Sequence, residues 1–132
     1  MHQVARIALA ICSVSVCAGL AAPAQAQQMN ADVFYQRAIK LKKKGPLALF
    51  QRKEIKTLLA EVQGAGDIVK ARRLAAEKGG GHGAYCPPSV KRDMSSDEFI
   101  DRIGSIPSTE RKRMTMVDAV TRMLAGKFPC RA

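Results

Sequence analysis

The chain has 132 residues, and its 22 basic against 11 acidic side chains give a formal charge of +11. That length accommodates one domain with a modest hydrophobic core. With no Trp, 2 Tyr and 4 Phe, it lacks the interleaved aromatics on which a single-strand nucleic-acid platform stacks bases, so no nucleic-acid partner is expected.

The first feature in chain order is an export signal. Arg6 supplies a short basic start, Ile7 to Leu20 is an uncharged apolar run, and Ala24-Gln25-Ala26 behind Pro23 is a small-x-small cleavage site. Together they define a cleavable secretory signal over 1–26. The run is diluted by Ser13, Ser15 and Gly19 and falls short of the about 20 strongly apolar residues of a membrane span. Val16 is too bulky to precede a lipidated Cys17. Cleavage leaves a single domain over 27–132, 106 residues long, whose charge drops to +10 with the loss of Arg6. Outside the cytoplasm, such an excess suits an acidic protein partner or the phosphate and carboxylate groups of an anionic envelope surface.

Export also sets the cysteine arithmetic. Cys12 and Cys17 leave with the signal, and Cys86 and Cys130 remain. Two cysteines in an oxidising compartment most often pair, the alternatives being two free thiols or an intermolecular bridge.

The N-terminal helices are expected over 30–78. Asn30 is a good N-cap, Asp32 complements the dipole of the first turn, and Phe34, Ala38 and Leu41 recur at helical spacing. Lys42, Lys43 and Lys44 suit the C-terminus, where Gly45 and Pro46 stop the helix. Leu47 to Phe50 reads as one helical turn against the core. A long helix follows from Arg52 to Lys78, with Ile55, Leu58, Leu59, Val62, Ala65, Gly66 and Val69 on one stripe. Gly64 and Gly66 weaken it by about 1 kcal/mol each and mark a kink or a close crossing.

A Gly/Pro-rich linker spans 79–94, and a helical hairpin spans 95–130. Ser95 and Glu98 read as a capping box, with Met94 and Phe99 at the staple positions. Phe99, Ile103 and Ile106 point inward, and Pro107 stops this helix. Ser108 then caps a last helix reaching Ala125, with Val117, Val120 and Leu124 inward and Met116 and Met123 at the margin. No alternating strand pattern interrupts the chain. The fold class is therefore all-α, a small four-helix domain whose C-terminal hairpin is bracketed by Cys86 and Cys130.

Catalytic and cofactor signals are weak. Gly64-x-Gly66 lacks a preceding strand and a third glycine, and the glycine run at 79–83 lacks the Lys-Ser/Thr of a P-loop. His82, the single histidine after cleavage, has no ligand set around it in sequence. Asp97, Glu98 and Asp101 cluster as a carboxylate pair would but sit where helix starts favour acids. No cofactor, metal or small-molecule substrate is expected. The basic stretch carries more promise: Lys40, Lys42, Lys43, Lys44, Arg52, Lys53 and Lys56 fall within 17 residues, opposed only by Glu54. Such a patch speeds encounter with an acidic partner in a salt-sensitive way.

From Tyr85 to Cys130 the chain resembles the C-terminal part of the Rap1a/Tai-type immunity proteins. The matching features are Tyr85-Cys86-x-Pro88, a helix, Pro107, a second helix containing Ala119, and the terminal Phe128-Pro129-Cys130. The resemblance implies a small exported helical protein that neutralises a peptidoglycan-cleaving toxin in the periplasm. It implies a structural Cys86–Cys130 disulfide and assigns no toxin-contacting residue. Positions 30–83 depart from the family, having no cysteine and a long basic helix instead. In size and helicity the chain is also similar to the small disulfide-bonded acid-stress chaperones of the periplasm. The expectation is thus an exported, non-enzymatic binding protein, either an immunity-type inhibitor or an envelope-stress protein that binds unfolded chains or anionic surfaces.

Overall fold

The computed structural model describes residues 29–90 and 92–131; the expected export signal lies outside them. The fold is all-α. Helices α1 (Ala31–Lys43), α2 (Arg52–Lys78), α3 (Ser96–Gly104), α4 (Ser108–Arg111) and α5 (Met116–Lys127) follow one another, with a 3-10 turn at Gly45–Phe50 between the first two. Among the described residues there is no strand, only one antiparallel bridge between Asn30 and Thr115.

Local chemistry sets the helix ends. The Asn30 carboxamide oxygen accepts from the Asp32 and Val33 amides at 2.9 and 3.3 Å, and its nitrogen donates to the carbonyls of Lys112 and Met114. One side chain thus caps α1 and ties it to the segment before α5. Gly45, at φ +53, takes the left-handed conformation that ends α1. The expected capping box at Ser95 is only half made. Ser95 Oγ accepts from the Glu98 amide at 3.1 Å, but the Glu98 carboxylate turns to Arg102 and Lys127. The complete box lies at Thr115 and Asp118.

That box corrects the expected last helix. The chain does not run from Ser108 to Ala125 as one rod. It makes the single turn α4, breaks at Lys112–Met114, and restarts at Met116. Thr115 captures the Asp118 amide and thereby sets a new helix axis. Met116 and Met123, expected at the margin, are consequently buried, Met116 completely. The core joins them to Ala31, Phe34, Ala38, Leu58, Ala65, Val69, Ile103, Ile106, Val117, Ala119 and Val120. α5 packs most extensively on α2 and also on α3, so the disulfide-clamped C-terminal hairpin is closed upon itself and against the long helix.

The linker is also less free than its composition suggests. Tyr85 is buried beneath the guanidinium of Arg73, which lies 5.5 Å from its ring centroid. A Cβ at Gly83 would come within 2.5 Å of the Arg73 side chain, so glycine is needed there for close approach to α2. Cys86 and Cys130 are disulfide-bonded, their Cα atoms 4.8 Å apart. The Cys86 amide donates to the Phe128 carbonyl at 2.9 Å beside the bridge. α2 runs unbroken through Gly64 and Gly66, and a Cβ at Gly66 would meet no neighbour, so the expected close crossing is not at that residue. The close crossing lies at Gly104 of α3, where a Cβ would stand 2.7 Å from the Tyr35 ring of α1.

Candidate functional site: an apolar groove at the basic end of the helices

An open groove of about 460 Å3 lies between α1, α2 and α3, bordered by Gly45 and Ala48 of the 3-10 turn. Phe34, Ala38 and Leu41 line it from α1, Leu58, Leu59 and Val62 from α2, and Phe99 and Ile100 from α3, with Met94 just before α3. The ring of Phe99 meets that of Phe34 edge-on at 6.0 Å and closes the floor. Polar side chains enter the lining as Lys42, Ser95, Ser96 and Asp97. Leu59 is half exposed beside it.

The sequence pattern does not reveal this groove, because it assigns the same residues to the core. Periodicity shows that Leu58, Leu59 and Val62 share a face. It does not show whether a neighbouring helix covers that face completely. Here α5 packs on α2, whose Ala65 and Val69 are buried, while Leu59 stays half exposed. The short apolar turn is the second correction. Leu47, Leu49 and Phe50 are not packed against the core but are 65%, 70% and 85% exposed, and Ala48 is the side chain of the turn that borders the groove beside Gly45.

The basic residues divide into two groups. Lys42 leaves the expected patch: its ammonium lies 3.1 Å from Asp97 and 3.7 Å from Asp101 across the α1–α3 boundary. The Asp97 carboxylate, and then Asp101, raise its pKa from the ordinary lysine value. The stretch is therefore opposed by two carboxylates of α3 as well as by Glu54, which sequence distance had concealed. Arg37 grips Glu54 through two hydrogen bonds of 2.6 and 2.7 Å. That bond, with the nearby charges of Lys40 and Lys44, holds the Glu54 carboxyl below its usual range against a smaller opposing effect of burial. The shared influence of Lys40 and Lys44 on Glu54 shows that the end of α1 and the start of α2 lie together. Lys40, Lys43, Arg52, Lys53 and Lys56 are exposed and Lys44 is half-buried. Among the described residues no ion pair engages these six.

The other titratable candidates are dispersed. Asp97 and Asp101 serve Lys42, whereas Glu98 accepts from Lys127 and Arg102. His82 is exposed on the glycine loop. Among the described residues no three His, Cys, Asp or Glu side chains gather as a metal site, and no helix is long and apolar enough to cross a membrane. The arrangement the residues do build is a concave apolar surface with a charged border, suited to holding apolar side chains in place. No protein-family model, curated protein or solved structure matches the chain.

Proposed function

We propose that this chain is an exported, non-enzymatic binding protein that takes an apolar segment of an acidic protein partner into the groove between α1, α2 and α3. The observation that carries this reading is the groove: about 460 Å3 of open, apolar-lined space beside the exposed cations of the helix ends. Its volume is within the range of sites that bury a small ligand or a few side chains. Covering apolar surface is worth about 25 cal/mol per Å2, while the Lys42–Asp97 pair and the serines at the border can fix the orientation of an incoming chain. The cations supply the complementary field that speeds encounter with an acidic partner. Such binding blocks a partner by occlusion and needs no chemistry of its own.

The specific form favoured by the resemblance of Tyr85 to Cys130 is inhibition of a peptidoglycan-cleaving toxin in the periplasm. The disulfide-closed segment contains α3, whose Phe99 and Ile100 form one groove wall. A second reading, an envelope-stress chaperone for unfolded chains, draws on the open side of the groove at Leu59. A photo-crosslinking amino acid placed at Leu59, and separately at the exposed Arg113 before α5, tests both in exported protein. One defined acidic partner captured from position 59 and not from 113 supports the inhibitor. A broad ladder of clients from 59 supports the chaperone, and equal capture from both positions contradicts the groove assignment.

A further inference from the structure

The 3-10 turn at Gly45–Phe50 has a composition and exposure that the groove does not explain. Ala48 is the side chain of the turn bordering the groove beside Gly45, while Leu47, Leu49 and Phe50 stand out from the molecule. Lys43 and Lys44 precede the turn, Arg52 and Lys53 follow it, and Lys40 and Lys56 lie one helical turn further back on either side. The one acid in this stretch, Glu54, is engaged by Arg37. The feature is therefore an exposed apolar tip, Leu47, Leu49 and Phe50, flanked by six cations and facing away from the groove that Ala48 borders.

From this geometry we infer that the turn is a membrane-surface anchor, which inserts Leu47, Leu49 and Phe50 into the headgroup and acyl boundary of a bilayer containing anionic lipid. Two independent properties fit that occupant. Amphipathic surface elements bury apolar side chains to a depth of about 5–10 Å while flanking cations meet the lipid phosphates. The backbone of the turn is also partly satisfied from within, the Leu47 amide donating to the Lys44 carbonyl at 3.1 Å and the Gln51 amide to the Ala48 carbonyl at 2.8 Å, which lowers the cost of leaving water. A flat acidic protein surface would match the cations but leave the protruding Phe50 without a pocket. The anchor does not depend on what fills the groove; because Gly45 and Ala48 of the turn border the groove, it would hold the groove close to the membrane.

Sedimentation of the folded, disulfide-intact protein with vesicles tests the inference. The protein should pellet with phosphatidylcholine vesicles that contain phosphatidylglycerol and stay in solution with phosphatidylcholine alone. Leu49→Ser with Phe50→Ser, and separately Lys43→Glu with Lys44→Glu, should each weaken partitioning about tenfold or more. Hydrogen exchange on the unaltered protein gives a readout free of any folding defect: amides 47–51 should gain protection on anionic vesicles. Failure of the unaltered protein to bind anionic vesicles, binding by both variants as tight as its own, or unchanged exchange at 47–51 would overturn the inference. So would a serine variant that keeps vesicle binding but loses the partner captured at Leu59, because the tip would then belong to that protein interface.

Discussion

Arg111 joins three elements through one guanidinium. Its Nε donates to the Asp32 carboxylate at 3.0 Å, its Nη1 donates to the carbonyls of Gly104 and Ile106, and its Cζ lies 4.2 Å from the centroid of the Tyr35 ring. Arg111 and Asp32 are both buried. Removing one member of such a pair leaves the other as an uncompensated charge. Arg111→Met should therefore destabilise the fold by about 3–5 kcal/mol in urea unfolding, and adding Asp32→Asn should recover part of that loss. Gly104→Ala acts on the same crossing by driving a methyl group into Tyr35, with an expected cost of about 1–3 kcal/mol. Neither residue stands out in the sequence. Asp32 is legible as a first-turn acid, but Arg111 looks like any other basic residue, and the need for glycine at 104 comes from a ring 69 positions earlier. A pH effect belongs to this scale as well. Lys127 first and Arg102 second hold the Glu98 carboxyl below its ordinary value, and Arg37 does the same for Glu54. In the unfolded chain these carboxylates regain their usual affinity for protons, so the unfolded state binds protons first as the pH falls. Their contribution to stability is complete above the ordinary carboxylate range and is lost as the pH drops through the depressed folded-state values. Glu98→Gln should flatten the acid limb of a melting-temperature profile and leave its neutral-to-basic side nearly parallel to that of the parent.

At the level of elements, caps decide where helices begin, and two similar sequence signals led to different structures. Ser108 follows Pro107 and looks like a start, yet the turn it begins is four residues long and its side chain caps nothing. Thr115 and Asp118 close a complete box and start the twelve residues of α5. Thr115→Ala should cost about 1 kcal/mol, and Ser108→Ala should be close to neutral, when both are compared by denaturant midpoint. The start and stop of α1 and the whole span of α2 were legible because Asn30, Gly45-Pro46 and the glycines after Lys78 act locally. The break before α5 was not legible, because the box is reinforced by tertiary bonds: the Ala31 amide donates to the Met114 carbonyl and the Met116 amide to the Met29 carbonyl. The exposed turn illustrates the same limit. Leu47 to Phe50 is apolar, but whether an apolar turn is covered depends on neighbours that local sequence does not specify.

For the whole molecule, the disulfide and the groove are linked through α3. The bridge closes a sequence separation of 44 residues, for which chain entropy gives about 4 kcal/mol. Cys130→Ser should lower the melting temperature by roughly 10 °C or more for a domain of this size. It should also loosen the segment around Tyr85, which hydrogen exchange at Tyr85 and Cys86 would register. The all-α class and the pairing of Cys86 with Cys130 were within reach of the sequence. The groove was not, because it arises from how α1, α2 and α3 are arranged around it, and the capture of Lys42 by Asp97 and Asp101 depends on the approach of α3 to α1. The most direct test of the groove as the working surface is the affinity of Leu59→Glu for the partner captured at that position, measured by surface-plasmon kinetics. Leu59 is half exposed, so stability should change by no more than about 0.5 kcal/mol. A charge in the groove mouth should raise Kd about ten- to hundred-fold, mainly through faster dissociation. An unchanged Kd in a fully folded Leu59→Glu protein would contradict the assignment of the groove as the binding site.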